Sequence, residues 1–208
     1  MSRLLHAGLS GMLLLSCFGA QGQQEFTLIQ VKEICPEYGI PITKNVLYTS
    51  GKKIAFEPPN GWRLTTDTTA KRILFRSTNG PASLSLTLNI QDTSVSRAQP
   101  TPVAGAPKPE PDADYWRRLV LDRLPDASIV DQSVCYARGL KVWVFDCNYR
   151  SKNGGQQAAR FAFLPFDGGI AQLELVVSGQ LQSYSGVFLG LLNSVDIQPF
   201  VAPKREGP

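Results

Sequence analysis

The side chains able to do covalent or metal chemistry are few in this chain: four cysteines, one histidine and 17 carboxylates among 208 residues. His6 lies within the first 22 residues, a segment with the marks of an export signal. Arg3 follows the amino terminus, an apolar run covers Leu9 to Leu15, and small residues come next at Ser16, Gly19, Ala20 and Gly22. Beyond residue 22 there is no histidine, so the commonest general base and the commonest metal ligand are missing. No Gly-x-Ser-x-Gly frame surrounds Ser178-Gly179 or Ser185-Gly186. The carboxylates are scattered through turns, caps and wet strand faces, with no pair spaced for sugar hydrolysis. Asp112-Ala113-Asp114 lacks the rest of a calcium loop and reads better as a helix cap. Gly154-Gly155 and Gly168-Gly169 lie in hairpins with no helix after them, so neither is a phosphate loop. These patterns predict no catalytic residue, no metal site and no cofactor.

The cysteines carry the remaining chemistry. Cys17 ends the stretch Leu14-Leu15-Ser16-Cys17, which resembles the lipobox of bacterial lipoproteins, where the cysteine is acylated and becomes the first residue. Leu14 and Ser16 fit that pattern; Leu15 stands where a small residue is usual. The signal therefore ends either at residue 16, with a lipid on Cys17, or at residue 22 after Ala20-Gln21-Gly22. Cys35, Cys135 and Cys147 lie further on, in a compartment that permits disulfides. Their number is odd, so two of the three can pair within the chain, and all three pairings stay open.

Bulk properties limit the partners. The formal charge of +4 drops by one when Arg3 leaves, too little to imply nucleic acid. Hydrophobic content of 43% and charged content of 18% suit one globular domain. No stretch reaches the ~18 to 20 apolar residues of a membrane span, so any membrane link is expected through the lipid.

Periodicity gives the elements that hold these residues. Residues 24–48 are broken by Pro36, Gly39 and Pro41 and give no clear element. Lys53 to Glu57 and Arg72 to Arg76 read as strands, with Pro58-Pro59-Asn60-Gly61 as a turn and Trp62 as an anchor at that corner. Ser83 to Ile90 alternates polar and apolar residues with period two. Residues 97–112 hold five prolines and predict an extended surface insert. A helix is predicted from Tyr115 to Leu124, capped by Asp112 or Asp114, with Trp116, Leu119, Val120 and Leu124 on one stripe. Trp116 with the exposed pair Arg117 and Arg118 is the candidate partner-binding patch, suited to an acidic envelope protein. Ser128 to Val177 predicts a four-strand meander turned at Arg138-Gly139, Asn153-Gly154-Gly155 and Asp167-Gly168-Gly169. Its second strand, Leu140 to Tyr149, carries apolar residues on both faces and is expected to be central. A last helix begins near Ser183, striped by Tyr184, Val187, Phe188, Leu191 and Leu192.

The expected fold is α+β, an antiparallel sheet flanked by helices. Phe56-Glu57-Pro58-Pro59-Asn60-Gly61-Trp62 resembles the "F-x-x-P-x-G-W" opening of PsbP-like proteins, a group that includes photosystem II lumenal subunits and bacterial DcrB-like envelope proteins. The order of elements from residue 50 to 198 matches the same plan, apart from the proline-rich insert and the cysteines. The resemblance implies an α/β/α sandwich and no shared catalytic residues. The organisation expected is a signal (1–22, or 1–16), an N-terminal extension (23–49), the domain (50–198) with its insert, and a frayed tail (199–208). The function expected is a non-catalytic exported envelope module, lipid-anchored in the periplasm, that binds or assembles a partner complex. The competing expectation is a histidine-free hydrolase or a periplasmic small-ligand protein.

Overall fold

The computed structural model describes residues 26–34, 39–49, 51–90 and 112–200. The strands are β1 (Thr27–Ile34), β2 (Pro41–Thr49), β3 (Lys52–Phe56), β4 (Trp62–Asp67), β5 (Arg72–Ser77) and β6 (Ala82–Ile90). After helix α1 (Ala113–Arg123) come β7 (Ser128–Ala137), β8 (Leu140–Arg150), β9 (Gln156–Phe166) and β10 (Gly169–Val177). A 3-10 turn (Leu181–Tyr184), helix α2 (Ser185–Ser194) and β11 (Asp196–Pro199) complete the order. They build two sheets, one of four strands in the order β1-β2-β3-β11 and one of seven in the order β4-β5-β6-β10-β9-β8-β7. Every strand pairing is antiparallel.

Local chemistry explains the large sheet. β6 alternates, so Leu84, Leu86 and Leu88 are buried on one face while Thr87 and Asn89 stay wetter on the other. The meander β7 to β10 forms as the turn residues predict. Arg138 and Gly139 both take positive φ, 51° and 79°, the conformation a two-residue primed hairpin requires. Asp112 caps α1: its Oδ1 accepts the Tyr115 N–H at 2.9 Å.

The two sheet faces are covered differently. On one, α1 lays Trp116 and Val120 against Phe145, Cys147, Phe161 and Phe163. On the other, α2 and the four-stranded sheet together bury Leu47, Ile54, Phe56, Phe188, Leu191 and Leu192 against Ile73, Phe75 and the β6 leucines. The Phe56 to Trp62 motif is the crossover between sheets: Phe56 closes β3, Trp62 opens β4, and Gly61 turns the chain with φ 74°. A buried ion pair ties α2 down. Arg160 Nε and Nη2 each donate to Asp146 at 2.6 Å, and Arg160 Nη1 donates to Ser185 Oγ at 2.7 Å.

Several expectations are corrected. The helices do flank the large sheet, but a second sheet shares the α2 side, so the architecture is richer in strands than an α/β/α sandwich. Residues 27–34 and 41–49, in a stretch expected to hold no clear element, form two strands. β1 and β2 form a hairpin, and β2 hydrogen-bonds β3 while burying Val46 and Leu47. Trp62 begins a strand. β8 is interior but second from the edge, and β10 occupies the middle. Trp116, Phe188 and Leu191 are buried as expected, whereas Leu119 is half-buried at the rim of α1. At the far end Pro199 belongs to β11, and Phe200 donates its N–H to the Gly51 carbonyl at 2.8 Å. The proline-rich insert 97–112 lies outside the described residues except for Asp112.

Candidate binding surfaces

Cys17 and Cys35 lie outside the described residues. Cys135 sits on β7 opposite Val142, and Cys147 sits on β8 opposite Ile129. Val142 and Cys147 are five positions apart, about 17 Å along a strand, and a disulfide needs Cα atoms within about 7 Å. The two thiols also face opposite sides of the sheet, Cys135 toward the α2 core and Cys147 into the α1 core. Of the three pairings open in the sequence, Cys135 with Cys147 is therefore not made, and among the described residues both are free thiols. Burial, reinforced by the charges of Asp146 and Glu174, pushes the Cys147 thiol up to about 11. Burial also raises Cys135. Thiols held protonated at neutral pH are poor nucleophiles.

The proposed partner patch on α1 is split by the helix geometry. Trp116 is 3% exposed and stacks on Phe163 with ring centroids 5.3 Å apart, so its surface is spent in the core. Arg117 and Arg118 are exposed on the outer side, and Arg118 Nε donates to the Asp114 carbonyl at 3.3 Å. The structure thus leaves the arginine pair available and withdraws the tryptophan.

The two buried carboxylates are occupied. Asp146 is clamped by Arg160 under α2. Glu174 lies on the opposite sheet face, where burial raises its pKa against the opposing pull of Arg123 and Arg72. Arg123 Nε stands 3.7 Å from Glu174 Oε2. Carboxylates on opposite faces of one sheet cannot flank a single substrate bond. Near Glu174 a cleft of about 510 Å³ opens between α1 and the sheet, lined by Arg72, Thr87, Asn89, Asp122, Arg123 and Gln172 together with Ala70 and Leu119. Among the described residues no three His, Cys, Asp or Glu side chains gather as metal ligands.

The second cleft is apolar. It measures about 540 Å³ and opens where the β7–β8 and β9–β10 turns meet the start of β11. Leu140, Leu164, Phe166, Val195 and Ile197 line it, with Arg138, Asp167 and Asp196 at its edge. The rim is braced by ion pairs: Arg138 to Asp196 at 3.8 Å and Lys52 to Asp167 at 3.9 Å. An apolar floor with charged edges fits an apolar side chain carried on a polar segment. Sequence reasoning missed this groove. The turns Arg138-Gly139 and Asp167-Gly168 were legible one by one, but their meeting with β11, a strand of the other sheet, was not.

No family model matches the chain, and no curated protein does. Solved structures do. PsbP (CyanoP) from Synechocystis sp. PCC 6803 is similar over 89% of this chain and 99% of its own, with TM-score 0.46 and 14% identity. LpqN of Mycobacterium tuberculosis, a protein involved in cell envelope biogenesis, is similar over 83% of this chain and 92% of its own, with TM-score 0.44 and 16% identity. PA94 from Pseudomonas aeruginosa, a protein of unknown function, is similar over 67% of this chain and 99% of its own, with TM-score 0.41 and 13% identity. No helix among the described residues is long and apolar enough to cross a membrane.

Proposed function

We propose that this protein is a non-catalytic envelope module, exported by its first 16 to 22 residues and held at the membrane by a lipid on Cys17. It binds a partner protein. The observation that carries the reading is the apolar groove between the sheets, an open cleft whose floor is Leu140, Leu164, Phe166, Val195 and Ile197. Interfaces place such an apolar centre inside a charged rim. The buried titratable groups support a binding role, since Asp146, Glu174 and Cys147 are each engaged or neutralised in ways that serve packing. Arg117 and Arg118 offer a second contact, to an acidic stretch of the partner. Leu140 is 47% exposed, so Leu140→Asp should leave the melting temperature nearly unchanged. It should abolish recovery of a partner that the tagged wild type retains from its own membranes. Undiminished recovery by that variant would sink the groove as the docking site.

The same volume also suits a small apolar ligand, which is the second reading. Native mass spectrometry of the purified chain separates the two. A stoichiometric added mass of a few hundred daltons would favour the ligand.

A further inference from the structure

We propose that two copies of this chain pair through the outer edge of β7, continuing the seven-stranded sheet across a two-fold axis. Among the described residues the two sheets have four unpaired edges, and three of them are blunted in familiar ways. β11 has four residues and ends in Pro199, β4 has six and carries Arg63 and Asp67, and β1 carries Lys32 and Glu33. β7 has ten residues, with no Lys, Arg or Pro among them. Its register is broken between Ile129 and Asp131, so the regular edge runs from Asp131 to Ala137. Val134 and Tyr136 on this edge are 40% and 71% exposed, and Val130 in the bulge is 58% exposed, while Ala137 is buried. Val134 and Tyr136 stand opposite Trp143 and Lys141, on the α1 side of the sheet but beyond the α1 core, and the Lys141 ammonium lies 5.2 Å from the Trp143 ring.

Geometry favours a second copy as the occupant. Antiparallel pairing of a strand with itself needs a two-fold axis perpendicular to the sheet, and such an axis keeps each face on its own side. Apolar residues of the α1 face therefore meet apolar residues of the same face. Centring the axis on Cys135 sets Val134 opposite Tyr136 of the second copy, and Tyr136 opposite its Val134. Aromatic with β-branched is among the better cross-strand pairs. The same register sets Asp131 opposite Gly139 of the second copy, next to its Arg138, which within each copy also pairs with Asp196 at 3.8 Å. Thiol faces thiol at the axis. A strand edge buries little area, at the low end of interface sizes, so the dimer is weak and concentration-dependent. Tethering both copies to one membrane would raise their effective concentration.

Sedimentation equilibrium of the chain carrying Cys17→Ser, which removes lipid-driven association, should show a monomer–dimer equilibrium that shifts with concentration. Val134→Lys, a change at a 40% exposed edge position, should lower the association constant at least tenfold with its thermal melt unchanged. A short bis-maleimide should link Cys135 to Cys135 in the wild type, identified by peptide mapping, and not in Val134→Lys. A second variant, Gln132→Lys, repeats the test should Val134→Lys fail to fold. A chain that stays monomeric into the upper micromolar range overturns the proposal and leaves this edge to a foreign strand. A dimer undisturbed by either lysine overturns it as well.

Discussion

Glu174 shows how one residue's surroundings set its role. It sits on the middle strand, β10, between Phe161 of β9 and Ser85 of β6, and its side chain is nearly sealed from water. Burial disfavours the charged form more than Arg123 and Arg72 favour it, so the folded chain holds this proton to higher pH than the unfolded chain does. The folded state therefore binds more protons in that window. Stability contributed by Glu174 is greatest below the ordinary carboxylate range and declines as pH rises toward the raised native value. Glu174→Gln should remove that decline. Thermal or urea melts from about pH 4 to 7 should show the variant gaining on the wild type by at most about 1.4 kcal/mol per pH unit. Parallel curves would show that Arg123 and Arg72 fully compensate. Nothing in the sequence marked Glu174 out. It alternates with Leu173 and Leu175, which predicts a wet side chain; α1, arriving from a distant segment, is what covers it.

Among the elements, legibility depends on the range of the interaction that makes each one. β6 and the meander were readable because alternation and turn chemistry lie within ten residues of each other. α1 was readable because Asp112 and the Trp116–Val120 stripe are local. β1 and β2 were not, because Pro36, Gly39 and Pro41 interrupt the pattern. Their strand identity comes from the second sheet, where β3 is also hydrogen-bonded to β11 about 140 residues later. β4 was hidden for a similar reason: Trp62 reads as an anchor until the pairing with β5 is seen. The position of β8 is a neighbour effect, because two apolar faces show only that it is interior. The proline-rich stretch falls between β6 and α1 in chain order. Replacing Gln99 to Pro111 with a short Gly/Ser linker should thus shift stability by less than about 1 kcal/mol, since closure entropy varies slowly with loop length. Thermal melts decide it: a fall of many degrees would show the stretch packs on the domain.

For the whole molecule the first question is whether it hangs from a membrane. Acylation at Cys17 would add two or more fatty chains, enough for stable attachment where one is marginal. Cys17→Ser should then move the protein from the membrane fraction to the soluble one, or stall its processing. Intact-mass measurement of the wild type should show a chain beginning at Cys17 with lipid mass; a bare chain beginning at Gln23 would remove the membrane from the proposed function. Residue types and their spacing were enough to establish the absence of histidine beyond residue 22, the local turns and the four-strand meander. These depend on side-chain chemistry over a few neighbouring positions. The tertiary structure was needed to decide that there are two sheets, that Trp116 is core while Arg117 and Arg118 are surface, and that Cys135 and Cys147 cannot pair. It also decided that β7 is an open edge and that a groove lies where two turns meet β11. Each of these depends on which distant strands hydrogen-bond and which face a helix covers. Pairings such as β6 with β10 and β3 with β11 are set by collective burial, which no short stretch of residues encodes.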